Sequence, residues 1–234
     1  MIIGKSHQRI IRERFSREGN GILFPDPSPE NLRGALVKKI STKEAASIIL
    51  KYEWLGTMPP CIKSAWGVFF DGVCGGAIIF SEPTQKNVVK AKTIPVDALY
   101  LSRGACAHWT PKNTASFLIS AALKMMGNVV AYGYCDHRAG EVGQIYQALN
   151  WLYLGPSKGG AHAFTVDGKE VSTRYLRRKY GSCSIETVRN IYPGSDIKKA
   201  PRKGRYVGVY GDRRHRKYWD GQLRPLSLPY PKRS

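Results

Sequence analysis

The stretch from Asn128 to Tyr134 is a continuous apolar run ending at Cys135-Asp136-His137. It has the look of a strand buried on both faces. Such a strand needs covering layers above and below it, so the elements around it decide the architecture. Upstream, Ala35 to Ile40 alternates like a first strand, and Ser41-Thr42-Lys43-Glu44 is a capping box followed by Ala45, Ile48, Ile49 and Tyr52 at helical spacing. Trp66 to Phe70, then Asp71-Gly72, then Val73 to Phe80 reads as a β-hairpin. Val96 to Leu101 predicts another strand, running into Ser102-Arg103 and a Gly/Ala/Cys loop. A helix opens at Asn113 or Thr114 and reaches Met126, with Phe117, Leu118, Ala121 and Met125 on one face. A second helix is expected from Val142 to Leu152, and a basic one from Thr173 to Tyr180. The order is that of an α/β (α+β) domain, a mixed central β-sheet flanked by helices.

Charge says more about partners than about fold. Thirty-seven Lys and Arg against 17 Asp and Glu give a formal +20, which points to nucleic acid. Residues 1–34 read as a basic N-terminal arm and a stiff Pro-rich linker, Phe24 to Pro29. The main domain is expected over 35–196. The tail, 197–234, is expected as a basic β extension packed on it. From Lys198 onward it holds twelve Lys and Arg against two acids, and its alternation from Arg205 to Tyr210 predicts a basic β-hairpin. Arg213, Arg214, Arg216 and Lys217 are its candidate contacts to a nucleic-acid backbone. No apolar run is long enough to span a bilayer, and Met1 to Arg17 lacks the apolar core of a secretory signal, so no membrane role and a cytoplasmic location are expected. The five cysteines form no CxxC pair, and His108, His137 and His162 have no metal-ligand spacing, so no metal site is assigned.

Two junctions could carry chemistry. In open α/β sheets, ligands bind beyond the carboxyl ends of strands, where helix N-termini offer N–H groups to anions. Arg103 is expected at such a strand end, and Asn113 and Ser116 at such a helix start; a helix cap and a surface ion pair would explain them equally. Asp136 follows the buried strand and Tyr146 the next helix start, as a carboxylate base and a phenol donor would; a turn cap and a core tyrosine fit as well. Trp54 and Trp109 adjoin loops, where an aromatic ring beside basic charge stacks on bases.

Several blocks, taken in order, resemble the bacteriophage Mom proteins. They are Tyr52-Glu53-Trp54-Leu55-Gly56-Thr57-Met58-Pro59, Leu101-Ser102-Arg103, Asn113-Thr114-Ala115-Ser116-Phe117-Leu118-Ile119-Ser120, and Gly143 to Trp151. Asp167-Gly168-Lys169, Arg174 and Tyr180-Gly181 follow. The resemblance implies a fold similar to GNAT acyltransferases. It also implies conversion of adenine in phage DNA to N6-carbamoylmethyladenine, a shield against host restriction enzymes. The catalytic roles it carries over fall on Arg103, Ser116, Asp136 and Tyr146. Asn113, Trp54, Trp109, Asn150 and Tyr153 are taken as binding residues for base or donor. Two departures stand out: Glu53-Trp54 replaces a His-Tyr pair usual in the family, and the Arg-x-x-Gly-x-Gly/Ala loop that grips coenzyme A is missing after Arg103.

The partner implied is double-stranded DNA with a flipped adenine; a homodimer stays open. So does the donor, an activated glycyl group or acetyl-coenzyme A, and iron is not ruled out. An acetyltransferase with another substrate and a non-catalytic DNA-binding protein are the competing readings. A binding module has no reason to converge Asp136, Tyr146 and Arg103 on one pocket.

Overall fold

The apolar run becomes β5 (Val129–Cys135), and it is covered on both faces. Ala131 and Cys135 point into one core cluster, Val130 and Tyr132 into another on the opposite side. The computed structural model describes residues 7–18, 27–83, 94–95, 97–137, 140–157, 162–171, 173–199 and 202–232.

Among the described residues, four strands precede β5. They are β1 (Leu36–Ile40), β2 (Ile62–Phe70), β3 (Val73–Ser81) and β4 (Leu99–Cys106), paired antiparallel in that order. Between β2 and β3, Asp71 and Gly72 both have positive φ, 47° and 81°, as a two-residue I′ turn requires. Between β1 and β2, α2 (Thr42–Tyr52) starts on the expected capping box: the Glu44 amide donates to Ser41 Oγ at 3.1 Å and the Ser41 amide to Glu44 Oε2 at 2.8 Å. β4 and β5 are parallel, connected by α3 (Thr114–Met126). After β5 come α4 (Gln144–Ala148) and β6 (Leu152–Pro156).

Three layers result. Leu118, Ile119, Ala122 and Leu123 of α3, with Tyr146 of α4, bury one face of the sheet. α2 buries the other face over β2–β4, through Ala45, Ile48, Ile49 and Tyr52. Leu223 and Trp219 of α7 (Arg213–Leu223) bury that same face over β5 and β6.

The chain between β6 and the last strand builds a satellite. β7 (His162–Val166), β8 (Lys169–Val171) and β9 (Asp196–Lys199) form a second, three-stranded sheet in the order β8-β7-β9. α5 (Thr173–Tyr180), the basic helix expected there, and α6 (Ile185–Ile191) pack on it around Phe164, Leu176 and Val188.

Four expectations change. Among the described residues the tail forms no hairpin: β10 (Gly204–Tyr210) inserts into the central sheet between β5 and β6, and α7 follows it. Its alternation is that of an inner strand with Tyr206 and Val207 facing opposite cores, so the tail is woven into the domain rather than packed on it. The helix expected over 142–152 stops at Ala148. Asn150 takes φ 56° and Trp151 turns back into the core, which frees Leu152 to begin β6. The loop expected after Ser102 is still strand to Cys106. The N-terminal arm contains a helix, α1 (His7–Glu18); its Phe15 ring packs on Tyr52 and His108, and Arg12 donates to the carbonyls of His108 and Thr110. Residues 24–26 of the Pro-rich stretch lie outside the described residues.

Candidate active site

β4 and β5 pair only at Leu99↔Ala131 and Tyr100↔Tyr132, and then diverge. The gap between them is a cleft of about 320 Å³. Its walls are β4 from Tyr100 to Cys106, the end of β5 with Asp136, the start of α4, the loop after α2, and Lys203. Arg103, Asp136 and Tyr146 all line it.

Arg103 is mid-strand, and a β-bulge sets its direction. Ile79 pairs with Arg103 while Phe80 pairs with Leu101, leaving Ser102 as the extra residue. Leu99 and Leu101 therefore face the α3 side, whereas Ala105 faces α2 despite its odd spacing. Buried Ser102 donates to the Ile79 carbonyl at 3.1 Å and bonds Ser81 Oγ at 2.8 Å, which stabilises the bulge. The Arg103 guanidinium turns toward the loop after α2. It donates to the Thr57 carbonyl at 2.9 Å, to the Ser102 carbonyl at 2.7 Å and to Thr57 Oγ1 at 3.3 Å. Through Thr57 it holds the loop that carries Glu53 and Trp54 against the cleft.

Asp136 stands at the end of β5, only 5% exposed, with Lys203 Nζ 3.2 Å from Oδ2. Its amide donates to Glu141 Oε2 at 3.1 Å. Burial pushes the Glu141 carboxyl up, and the charges of Asp136 and Glu53 push it further, against the Asp136 amide and Lys203. Glu53, whose carboxylate accepts from the Leu55 and Gly56 amides at 2.8 and 3.2 Å, is also raised by burial. A chain of net +20 thus presents three carboxylates, Glu53, Asp136 and Glu141, in one cleft.

Tyr146 is fixed by packing. Its ring lies between Trp151 and Tyr206, at centroid distances of 5.1 and 5.0 Å. Gly133 makes the room: a Cβ there would come within 2.5 Å of the Tyr146 hydroxyl. Gly143, at φ 76°, does the same for Tyr206, whose ring a Cβ would approach to 2.4 Å. Burial pushes the Tyr146 phenol well above its usual range, so it stays protonated and serves as a hydrogen-bond donor. Cys106 and Cys135 also line the cleft, but burial pushes both thiols up to about 12, so neither offers a thiolate nucleophile near neutrality.

Comparison with known proteins gives the frame. The model of the Mom protein family matches residues 35–232. The chain belongs to the Mom protein family. Membership places it among bacteriophage DNA-modification proteins. No curated protein matches its sequence. Among solved structures, the IAA acetyltransferase from Bacillus cereus ATCC 14579 aligns over 75% of this chain and 99% of its own, at 12% identity and a TM-score of 0.38. The Mom match begins just before β1 and takes in β10 and α7, so every element of the central sheet lies within it.

Against the Mom resemblance, the expected residues divide. Trp54 lines the cleft beside Glu53, in the place of the family's usual His-Tyr pair. Trp109 packs edge-on against Phe70, outside the cleft. Ser116 is one residue from the cleft-lining Ala115, but its hydroxyl donates back to the Asn113 carbonyl at 3.0 Å. Asn113 and Asn150 are exposed on left-handed turns, and Tyr153 is buried against Tyr206; none of the three lines the cleft. The four α7 cations are exposed, but α7 begins beside Asn128, at the opposite end of β5 from Asp136, about 20 Å along a seven-residue strand. Glu53, Glu141 and Lys203 also line the cleft and were not among the expected site residues. Only the Glu53-Trp54 departure pointed at any of them.

The raised Glu141 carboxyl gives a pH signature. Its folded pKa lies above the unfolded one, so the fold binds this proton more tightly and stability falls as pH rises from the unfolded pKa through the folded one. Glu141→Gln removes that penalty while its amide oxygen can still accept from Asp136. The variant is expected to melt higher than the parent at pH 7–8 and together with it near pH 4. A parent advantage at pH 8 in paired thermal melts would refute the assignment.

Among the described residues no helix is long and apolar enough to cross a membrane.

Proposed function

We propose that this protein is a DNA adenine N6-transferase that converts adenine to N6-carbamoylmethyladenine in phage DNA and so protects it from restriction endonucleases. The observation that carries the reading is the convergence of Asp136, Tyr146 and the Arg103-braced loop on one cleft, from three separate elements. A binding module with a vestigial core has no need of it.

The target base must leave the duplex, because N6 is engaged in pairing there, at a cost of a few kcal/mol. The half-buried Trp54 offers a ring at the cleft wall on which it can stack. Trp54→Ala is expected to weaken binding of a duplex with an unpaired target adenine by about 1–3 kcal/mol. Equal affinity in the two proteins would remove Trp54 from the base site. The exocyclic nitrogen is a poor nucleophile, its lone pair being drawn into the ring, so positioning lowers much of the barrier. As N6 attacks the activated acyl carbon, the bond from that carbon to the donor's leaving group breaks and its electron pair departs with that group, while Asp136, whose Oδ2 stands 3.2 Å from Lys203 Nζ, takes the N6 proton. The Tyr146 hydroxyl donates toward oxygen that gains charge.

The junction after β4 does not fit coenzyme A. Between Ala107 and Asn113 there is no glycine, the Ala107 and Thr110 amides already donate to the carbonyls of Gly75 and Ala107, and Pro111 has no amide proton. The described residues also hold no group of three His, Cys, Asp or Glu side chains suited to iron. A glycyl donor suits the product: N6-glycyl and N6-carbamoylmethyl adenine are isomers, so acyl transfer followed by rearrangement needs no redox step.

Mass spectrometry of nucleosides from DNA co-expressed with this protein tests the reading. Deoxyadenosine heavier by C2H3NO is the expected result. Unmodified adenine at good expression would overturn it, and an acetyl increment would turn it into an ordinary acetyl transfer.

A further inference from the structure

The satellite between β6 and β10 is rooted at the cleft. Gly204, the first residue of β10, sits opposite Cys135 on one side and Pro156 on the other. The chain therefore leaves and re-enters the central sheet beside Asp136, and the Ser157 amide donates to the Lys203 carbonyl at 2.8 Å to close the root. Residues 157–203 hold eleven Lys and Arg against four Asp and Glu, a net +7 in 47 residues. Their hydrophobic side chains, Phe164, Leu176 and Val188, are consumed in a small core of their own. Arg177 and Lys179 of α5, Lys198 and Lys199 of β9, and Arg202 are exposed. Covalent geometry keeps the last three near the site: four residues span at most about 14 Å, so Lys199 cannot stand farther than that from Lys203, whose ammonium touches Asp136. The cations of α7 have no such tether, and that helix begins at the far end of the sheet.

We infer that this satellite, through Lys179, Lys198, Lys199 and Arg202, is the surface that grips the phosphates of duplex DNA flanking the target adenine, and that α7 is not. The inference rests on the proposed DNA-modifying function and says where that function's substrate lies. A backbone grip within about a helical turn of the cleft holds the duplex while one base is extruded. Lys203 stays with Asp136 and links the grip to the site.

A charge-matched pair of variants tests it. K179Q/K198Q/K199Q/R202Q and R213Q/R214Q/R216Q/K217Q each remove four positive charges, so a loss of long-range attraction affects both alike. Affinity for a 20-base-pair duplex is read by fluorescence anisotropy across a salt series, with thermal melts confirming that each protein is folded. The satellite variant is expected to bind at least tenfold more weakly at 0.15 M salt, with a salt slope lower by about 3–4, near 0.9 for each lost phosphate contact. The α7 variant is expected to lose less than threefold. The reverse order, or equal losses, would overturn the inference. So would a tenfold preference of the parent for a folded RNA over duplex DNA, since the satellite would then be a grip for RNA. A parent that binds no duplex and leaves adenine unmodified would instead sink the functional reading itself. If the satellite variant fails to fold, K198Q/K199Q alone decides, with an expected slope loss of about 2.

Discussion

Asp136→Asn is expected to leave the protein folded and bound to duplex DNA while lowering adenine modification by about 10²–10⁴-fold. The substitution keeps size and hydrogen-bonding shape and removes only the charge that can accept the N6 proton. Its structural cost is limited, because an asparagine can still hydrogen-bond at this buried position and the partner Lys203, 47% exposed, regains water when the pair is lost. The Asp136 amide, which donates to Glu141, is unaffected by the side-chain change. An asparagine also caps a turn as well as an aspartate does, so a merely structural Asp136 would tolerate it. Nucleoside mass spectrometry, paired with a thermal melt and duplex binding, separates the cases. Modification near the parent level in a folded Asp136→Asn protein would remove Asp136 from the chemistry.

Tyr146→Ala is expected to cost about 3–5 kcal/mol of stability, the range for deleting a buried aromatic ring. For a domain of this size that is roughly 6–20 °C in Tm. The ring is 7% exposed and stacked between Trp151 and Tyr206, so its loss leaves a cavity bordered by rings that cannot easily close it. Tyr146→Phe keeps the stack. Its hydroxyl bond to the Tyr134 carbonyl is long, 3.4 Å, and losing it should change stability by less than about 1 kcal/mol. A drop in modification by Tyr146→Phe at parent-like Tm therefore reports the hydroxyl as a donor in the reaction. Parent-like modification by Tyr146→Phe would assign Tyr146 to packing alone. A calorimetric scan of all three proteins beside the modification assay gives the answer.

Much of this protein is legible along the chain. The capping box at Ser41 and Glu44, the Asp71-Gly72 turn, the span of α3 and the doubly buried β5 depend on residues within a few positions of one another, so local pattern determines them. The ordered family blocks also brought Arg103, Asp136 and Tyr146 into view, and the cleft holds all three. What those residues do was not legible. Arg103 faces the α2 loop because one extra residue, Ser102, reverses the parity of β4, and that bulge is defined only by the register of β3 against it. Asp136 meets Lys203 because β10 leaves the tail to pair between β5 and β6; a strand's partner is chosen by burial on both faces, which alternation cannot announce. The same insertion sends α7 and its cations to the far end of the sheet and roots the basic satellite at the cleft. Local chemistry wrote the elements. Long-range pairing, which fixes strand order, register and so the neighbours of every side chain at the strand ends, decided which of them share the site.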